Sequence, residues 1–168
     1  MSEKLSFAFF KLRRMFTIVF ICCLTIVLFI SFDIMMAKVR DIKRRVDAKT
    51  LVKALDLYHD EYGSYPVSIN DWRGWDLTCK LEGGEAGFLK MLKDNKLIDK
   101  MVSDPINDAT YYYQYQKYAA GDYGCANSFY ILQIINFELP TTDNGAGSCS
   151  GLNWVDLAPN GWTAQGFD

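Results

Sequence analysis

Residues 15–32 read MFTIVFICCLTIVLFISF, eighteen consecutive residues without a charge. They lie inside a longer stretch, residues 1–62, that holds neither glycine nor proline, whereas all 12 Gly and all 4 Pro come later. A segment free of the two strongest helix breakers, apolar all round in one part and charged in the rest, predicts one long helix that begins in a membrane and leaves it. Twelve of residues 16–32 are Leu, Ile, Val or Phe, each favouring insertion by about 0.3 to 0.6 kcal/mol, so roughly 4 to 7 kcal/mol in total. Asp33 follows the last apolar turn and reaches the interface, where its cost falls well below the value at the bilayer centre. The rival reading is a cleaved secretory signal; the apolar run is longer than a usual signal core and no small-x-small site follows it. The organisation expected is a cytoplasmic segment (1–14), a transmembrane helix (15–37), its continuation (38–62) and a head (63–168).

Charge divides unevenly. Residues 1–62 carry 11 Lys and Arg against 7 Asp and Glu, a balance of +4, and residues 63–168 carry 7 against 13, a balance of −6. An acidic head repels phosphate backbones, so nucleic acid is not expected as its partner. About a hundred residues form one small domain that needs a helix or a staple to be robust. The continuation of the long helix supplies Val39, Ile42 and Val46, then Leu51, Leu55, Tyr58 and Tyr62, as an apolar stripe for the head to pack upon. Of the head cysteines, Cys125 and Cys149 flank a strand and a Gly-rich loop and are the preferred bridge, with Cys79 an open alternative partner. Phe88, Leu89, Leu92 and Leu97 give a short amphipathic helix after Gly87. Residues 111–118 and 129–137 read as the two strands of a hairpin. In the first, Tyr111, Tyr113 and Tyr115 share one face and Tyr112, Gln114, Gln116 and Tyr118 the other. The tail after Pro140 reads as an ordered loop anchored by Trp154 and Trp162.

Ala54-Leu55-Asp56-Leu57-Tyr58 at the end of the long helix, then Tyr62-Gly63-Ser64-Tyr65-Pro66, a short helix, Asp104-Pro105 and an aromatic strand form an ordered set. This order resembles the type IV pilin superfamily, most closely the major pseudopilin of type II secretion systems. The resemblance implies an α+β fold, in which the C-terminal half of a long transmembrane helix packs on a small antiparallel sheet as a lollipop. It implies a structural subunit of a pilus or secretion assembly, without catalysis or cofactor, whose partners are like subunits, inner-membrane assembly proteins and the membrane. It also implies single-pass insertion in a bacterial cell membrane, with the N-terminus cytoplasmic and the head outside. Taken alone, the positive-inside tendency gives the opposite orientation, because four basic residues precede the apolar run and six follow closely. The resemblance and the head cysteines favour an external head. The alternative is an anchored binding module that keeps the fold and does not polymerise.

Phe16-Thr17-Ile18-Val19-Phe20 after Arg13 and Arg14 resembles a degenerate prepilin processing motif. Met15 stands where the family has the glycine before the cut bond, and Phe20 where it has a glutamate. That glutamate compensates a neighbour's new N-terminal amine inside an apolar filament core, where an unpaired charge is costly. An uncut chain has no such amine there. The stalk is also about two helical turns shorter than the resemblance implies. Gly147-Ser148-Cys149-Ser150-Gly151 has the spacing of a nucleophile elbow, but the only histidine, His59, lies on the stalk, so loop glycines around a bridged cysteine are the preferred reading. Asp143 and Asn144 occupy the place of a calcium loop in the resembled proteins and are weak candidates for one, since the acidic pair that completes it is absent. Intact-mass measurement is expected to find residues 1–15 still attached to the chain; a species starting at Phe16 contradicts this.

Overall fold

A computed structural model of the 168-residue chain describes residues 2–69, 74–78 and 87–168, with side chains from residue 13 onward. Cys79 and Trp72 therefore lie outside the described residues. The helix α1 runs unbroken over Ser2–Tyr62. It stops at Gly63, which takes φ +71° and donates its N–H to the His59 carbonyl at 2.7 Å. This left-handed ending suits a residue without Cβ. The chain separates into two compact units, Met1–Val39 and Arg40–Asp168.

In the first unit the apolar window of α1 has none of its residues buried, and Phe16, Phe20 and Phe29 are 68%, 69% and 73% exposed. Eighteen residues of helix span about 27 Å, close to the hydrocarbon thickness of a bilayer. The helix is long and apolar enough to cross a membrane.

The second unit is an α+β domain built on the rest of α1. Its strands and second helix are β1 (Asp76–Leu77), α2 (Gly87–Asp94), β2 (Tyr113–Tyr118) and β3 (Phe129–Ile134), then β4 (Ser148–Cys149), β5 (Leu152–Asn153) and β6 (Trp162–Phe167). One antiparallel sheet has the order β1-β2-β3-β6, and β4 pairs with β5 in a separate small hairpin. In the main sheet Tyr113 faces Ile134 across the β2–β3 ladder, and Phe129 faces Phe167 across β3–β6.

Alternation along the strands sends Tyr113, Tyr115, Tyr130, Leu132 and Ile134 to one side. There they pack with Ala48, Leu51, Ala54 and Leu55 of α1 and with Phe88, Leu89 and Leu92 of α2. The two alanines let the sheet approach the helix backbone. Full burial of Leu51 and Leu55 stabilises by about 1.5 to 3 kcal/mol each. The other side carries a second cluster of Tyr118, Phe129, Ile131 and Trp154. Here Gln114 donates to Gln133 at 2.7 Å, and Gln133 donates to the Trp154 carbonyl at 2.8 Å. Strand β3 is buried at all six positions.

Several expectations need correction. The apolar stripe on α1 divides: Leu51 and Leu55 face the core, but Val39, Ile42 and Val46 are 53%, 54% and 56% exposed. The spacing slips after Val46, so the two groups lie on different sides of the helix. The strands of the hairpin are shorter than 111–118 and 129–137, since Ile135 and Phe137 continue only through single backbone bonds to Tyr112 and Asn160. Leu97 falls beyond α2, in the turn that follows. The tail is more than a loop, because β6 completes the main sheet beside β3. The alternation of β2 holds as expected, and Gln114 and Tyr118 on its second face are packed, each 8% exposed.

Candidate functional site

Arg44 points from α1 into the second unit and has no exposed surface. Its guanidinium holds Asp104 in a two-toothed contact, Nε to Oδ2 at 2.6 Å and Nη2 to Oδ1 at 3.0 Å. Nη1 donates to Asp41 at 2.6 Å and to Glu138 at 2.8 Å. The Tyr111 ring centroid lies 4.7 Å from the guanidinium carbon. Glu138 is shared with Arg40, which donates to both its oxygens at 2.7 and 2.6 Å.

Three carboxylates thus meet two guanidinium groups, and backbone N–H groups satisfy the remaining acceptors. Asp41 accepts from Glu138 and Leu139 at 3.0 and 2.9 Å, and Asp104 accepts from Ile106 at 2.8 Å. The cluster ties α1 to the turn after Asp104-Pro105 and to the segment after β3. Burial by itself would lower the Arg44 pKa; hydrogen bonds to Asp104, Glu138 and Asp41 outweigh it and raise it, so the group stays charged. Hydrogen bonds from Arg40 and then Arg44 pull Glu138 down to about 2.

Other basic residues of this stretch are also engaged. Arg45 pairs with Asp143 at 2.8 Å, donates to Thr141 and lies over the Phe137 ring at 4.5 Å. Lys43 pairs with Asp47, whose carboxylate also accepts from the Tyr113 hydroxyl at 3.0 Å. Four of the six basic residues that follow the apolar run thus have acidic partners within the folded unit, which accounts for their number without reference to the orientation of the chain.

Tyr58, Tyr62, Tyr65 and Pro66 meet at the C-terminal end of α1, whereas Asp104 sits beside Arg44 on an earlier part of the helix. Tyr58 and Tyr62 lie ring against ring, tilted by 37°, with centroids 4.5 Å apart. Tyr65 sets its ring edge-on to Tyr130 at 4.5 Å, and its N–H donates to Asp168 at 2.9 Å. The Pro66 carbonyl accepts from the Tyr115 hydroxyl at 2.6 Å. Asp168 also binds Lys117 at 2.8 Å and Ser128 at 2.6 Å, and His59 Nε2 lies 3.8 Å away. These partners hold the Asp168 pKa below the ordinary carboxylate range against the upward push of burial. Of the positions that carry the resemblance to pilins, Tyr65 and Pro66 contact β3 and β2, Asp104 ties the turn at Pro105 to α1, and Tyr62 donates to Asn95 beyond α2 at 2.7 Å.

The Cys125–Cys149 disulfide is present, with Cα atoms 5.1 Å apart, and Gln165 Nε2 lies 3.6 and 3.5 Å from the two sulfurs. Cys149 is therefore bonded and does not stand as a thiol at the centre of its glycine motif. Trp154 fills the space behind the bridge, with Tyr118 and Tyr123 rings both 4.8 Å away. Asp143 is committed to Arg45 and to the Gly145 N–H, and Asn144 donates to the Pro159 and Gly161 carbonyls. Among the described residues no group of three or more His, Cys, Asp or Glu side chains is placed to hold a metal ion. Met15, Phe16 and Phe20 all sit on the exposed surface of α1.

The sequence reading missed Arg44, Asp41, Glu138 and Asp168. The one local signal was Asp41 three residues before Arg44, a spacing that places the two on the same side of a helix. No family model matches the chain, no curated protein is similar to it and no solved structure matches it.

Arg44→Ala leaves Asp104 buried without a counter-charge and is expected to cost about 3 to 5 kcal/mol of unfolding free energy. Arg45→Ala, at an exposed pair, is expected to cost less than about 1 kcal/mol. Denaturant titration of the detergent-solubilised chain measures both. Glu138 has a lowered pKa in the folded state, so its stabilisation is complete above the ordinary carboxylate value and is lost as pH falls towards 2. Thermal melts between pH 6 and about 2 are expected to show this decline, and Glu138→Gln is expected to flatten it.

Proposed function

We propose that the protein is a pilin-like structural subunit, anchored by the first part of α1 in a bacterial cell membrane with its folded unit outside. It joins, primes or caps a type IV pilus or type II secretion assembly. One observation carries this reading: the helix that is apolar enough to span a membrane continues without a break and becomes the central element of the α+β unit. Tyr62-Gly63-Ser64-Tyr65-Pro66 turns the chain from this helix into the sheet, as the resemblance to pilins implies.

The Cys125–Cys149 bridge suits an oxidising compartment, where such bonds persist. The basic residues after the apolar run pair with Asp47, Asp104, Glu138 and Asp143, so they serve the fold and need not retain the domain inside. The work of such a subunit is contact between surfaces, with no reaction step. Loss of the protein is expected to remove or shorten filaments in material sheared from cells, as seen by electron microscopy. Unchanged filaments that lack this chain by mass spectrometry would favour the non-polymerising module.

A further inference from the structure

The segment after β3 and the loop before β6 border a half-open cavity of about 300 Å³, lined by residues 137–141 with Pro159 and Asn160. Its volume reaches the range of small-molecule sites. Phe137, Leu139 and the two prolines give it apolar surface, and its polar groups are weighted towards acceptors. The prolines have no N–H. The Phe137 N–H is spent on the Asn160 carbonyl at 2.8 Å, and those of Glu138 and Leu139 on Asp41 at 3.0 and 2.9 Å. The Thr141 hydroxyl donates to the Asp143 carbonyl at 3.1 Å. The carbonyls of Glu138, Leu139 and Pro140, by contrast, accept from no backbone N–H among the described residues.

Charge points the same way. Glu138 belongs to the Arg44 cluster, where three carboxylates meet two guanidinium groups and one negative charge is left over. The adjoining pairs Lys43–Asp47 and Arg45–Asp143 are each balanced and do not cancel it. Asp104 has no exposed side-chain surface, whereas 12% of the Glu138 side chain stays exposed. Glu138 Oε1 accepts from both Arg40 and Arg44, but Oε2 accepts from Arg40 alone. A carboxylate oxygen has two acceptor positions, so one remains open on Oε2.

We infer that this cavity binds a primary alkylammonium ion, with the chemistry of a lysine side chain, its nitrogen donating to Glu138 and the free carbonyls and its carbon stem lying on the apolar lining. An ammonium brings donors only, together with the positive charge that the cluster lacks. A phosphate or carboxylate meets like charge and unmatched carbonyls. A calcium ion takes about six to eight oxygen ligands, several of them carboxylates, and finds one carboxylate already shared by two guanidinium groups. The site lies apart from the assembly reading, since it needs neither a neighbouring copy nor a filament.

The test is calorimetric titration of the full chain in detergent at low salt, with n-pentylammonium, cadaverine and the neutral 1-pentanol as probes. Saturable one-to-one binding of the amines is expected, tighter than that of the alcohol by about tenfold or more, the worth of one charge-assisted hydrogen bond. The Asn160 side chain is exposed and has no hydrogen-bond partner among the described residues. Asn160→Trp therefore puts a large ring into the lining and is expected to leave the melting temperature unchanged while weakening amine binding about tenfold or more. Glu138→Gln is expected to weaken it by a similar factor, and if that variant does not fold, Asn160→Trp decides. Nα-acetyl-lysine amide separates two sources of the ligand: binding at least as tight as that of cadaverine assigns the site to a lysine of a partner protein, weaker binding to a free diamine, and both uphold it. Equal affinity for amine and alcohol, amine binding that survives Asn160→Trp, or no saturable amine binding overturns the assignment. Calcium that displaces n-pentylammonium one for one makes the cavity a metal site and overturns it as well.

Discussion

Arg44 is a full charge placed where no water reaches it, and the arrangement of the second unit depends on the groups that make this tolerable. A buried guanidinium is destabilising unless its donors are matched by acceptors in good geometry. Here the acceptors come from three places in the chain: Asp41 one turn away on α1, Asp104 sixty residues on, and Glu138 ninety-four residues on. Each carboxylate is in turn held by backbone N–H groups or by Arg40. Removing any one partner leaves the others over-charged, so the helix and its two loops hold together or come apart as a set.

This explains the division of labour along α1. Next to the apolar run the helix is fixed to the rest of the unit by ions; further along it is fixed by Ala48, Leu51, Ala54 and Leu55 against the tyrosines of β2 and β3. Ionic contacts are directional and set the rotation of the helix, whereas apolar burial supplies most of the free energy and accepts small rotations. With rotation set in this way, Ile42, Val46, Lys49 and Lys53 are turned outward. The outward face is thus a consequence of the inward one.

The far side of the sheet follows a different logic. Strand β3 is covered on both faces, and its buried glutamine, Gln133, is satisfied by Gln114, the Trp154 carbonyl and Thr163. That polar ladder, together with the Cys125–Cys149 bridge, fixes the tail over the second cluster. Close approach is possible because Gly145 has no side chain: a Cβ there would lie 1.9 Å from the Thr163 carbonyl oxygen. A calcium ion at Asp143 is not needed to account for this order, since Arg45 already supplies the positive charge.

Local features of the sequence were enough to determine the unbroken helix, its membrane-compatible length, the stop at Gly63 and the β2–β3 hairpin, whereas the sequence preferred Cys125 with Cys149 but left Cys79 open and the fold brings the pair together. The former depend on composition, periodicity or a turn residue within a short window. Only the tertiary structure decided which of two apolar stripes on α1 faces inward, because Val39-Ile42-Val46 and Leu51-Leu55 are equally hydrophobic and the choice is made by carboxylates far away in the chain. It also decided that residues 162–167 form a strand: Trp162, Thr163 and Ala164 alternate weakly, and their pairing energy comes from the open edge of β3. Arg44 could not be recognised as buried from its neighbours, since a charge enters a core only when the fold brings its counter-charges to it.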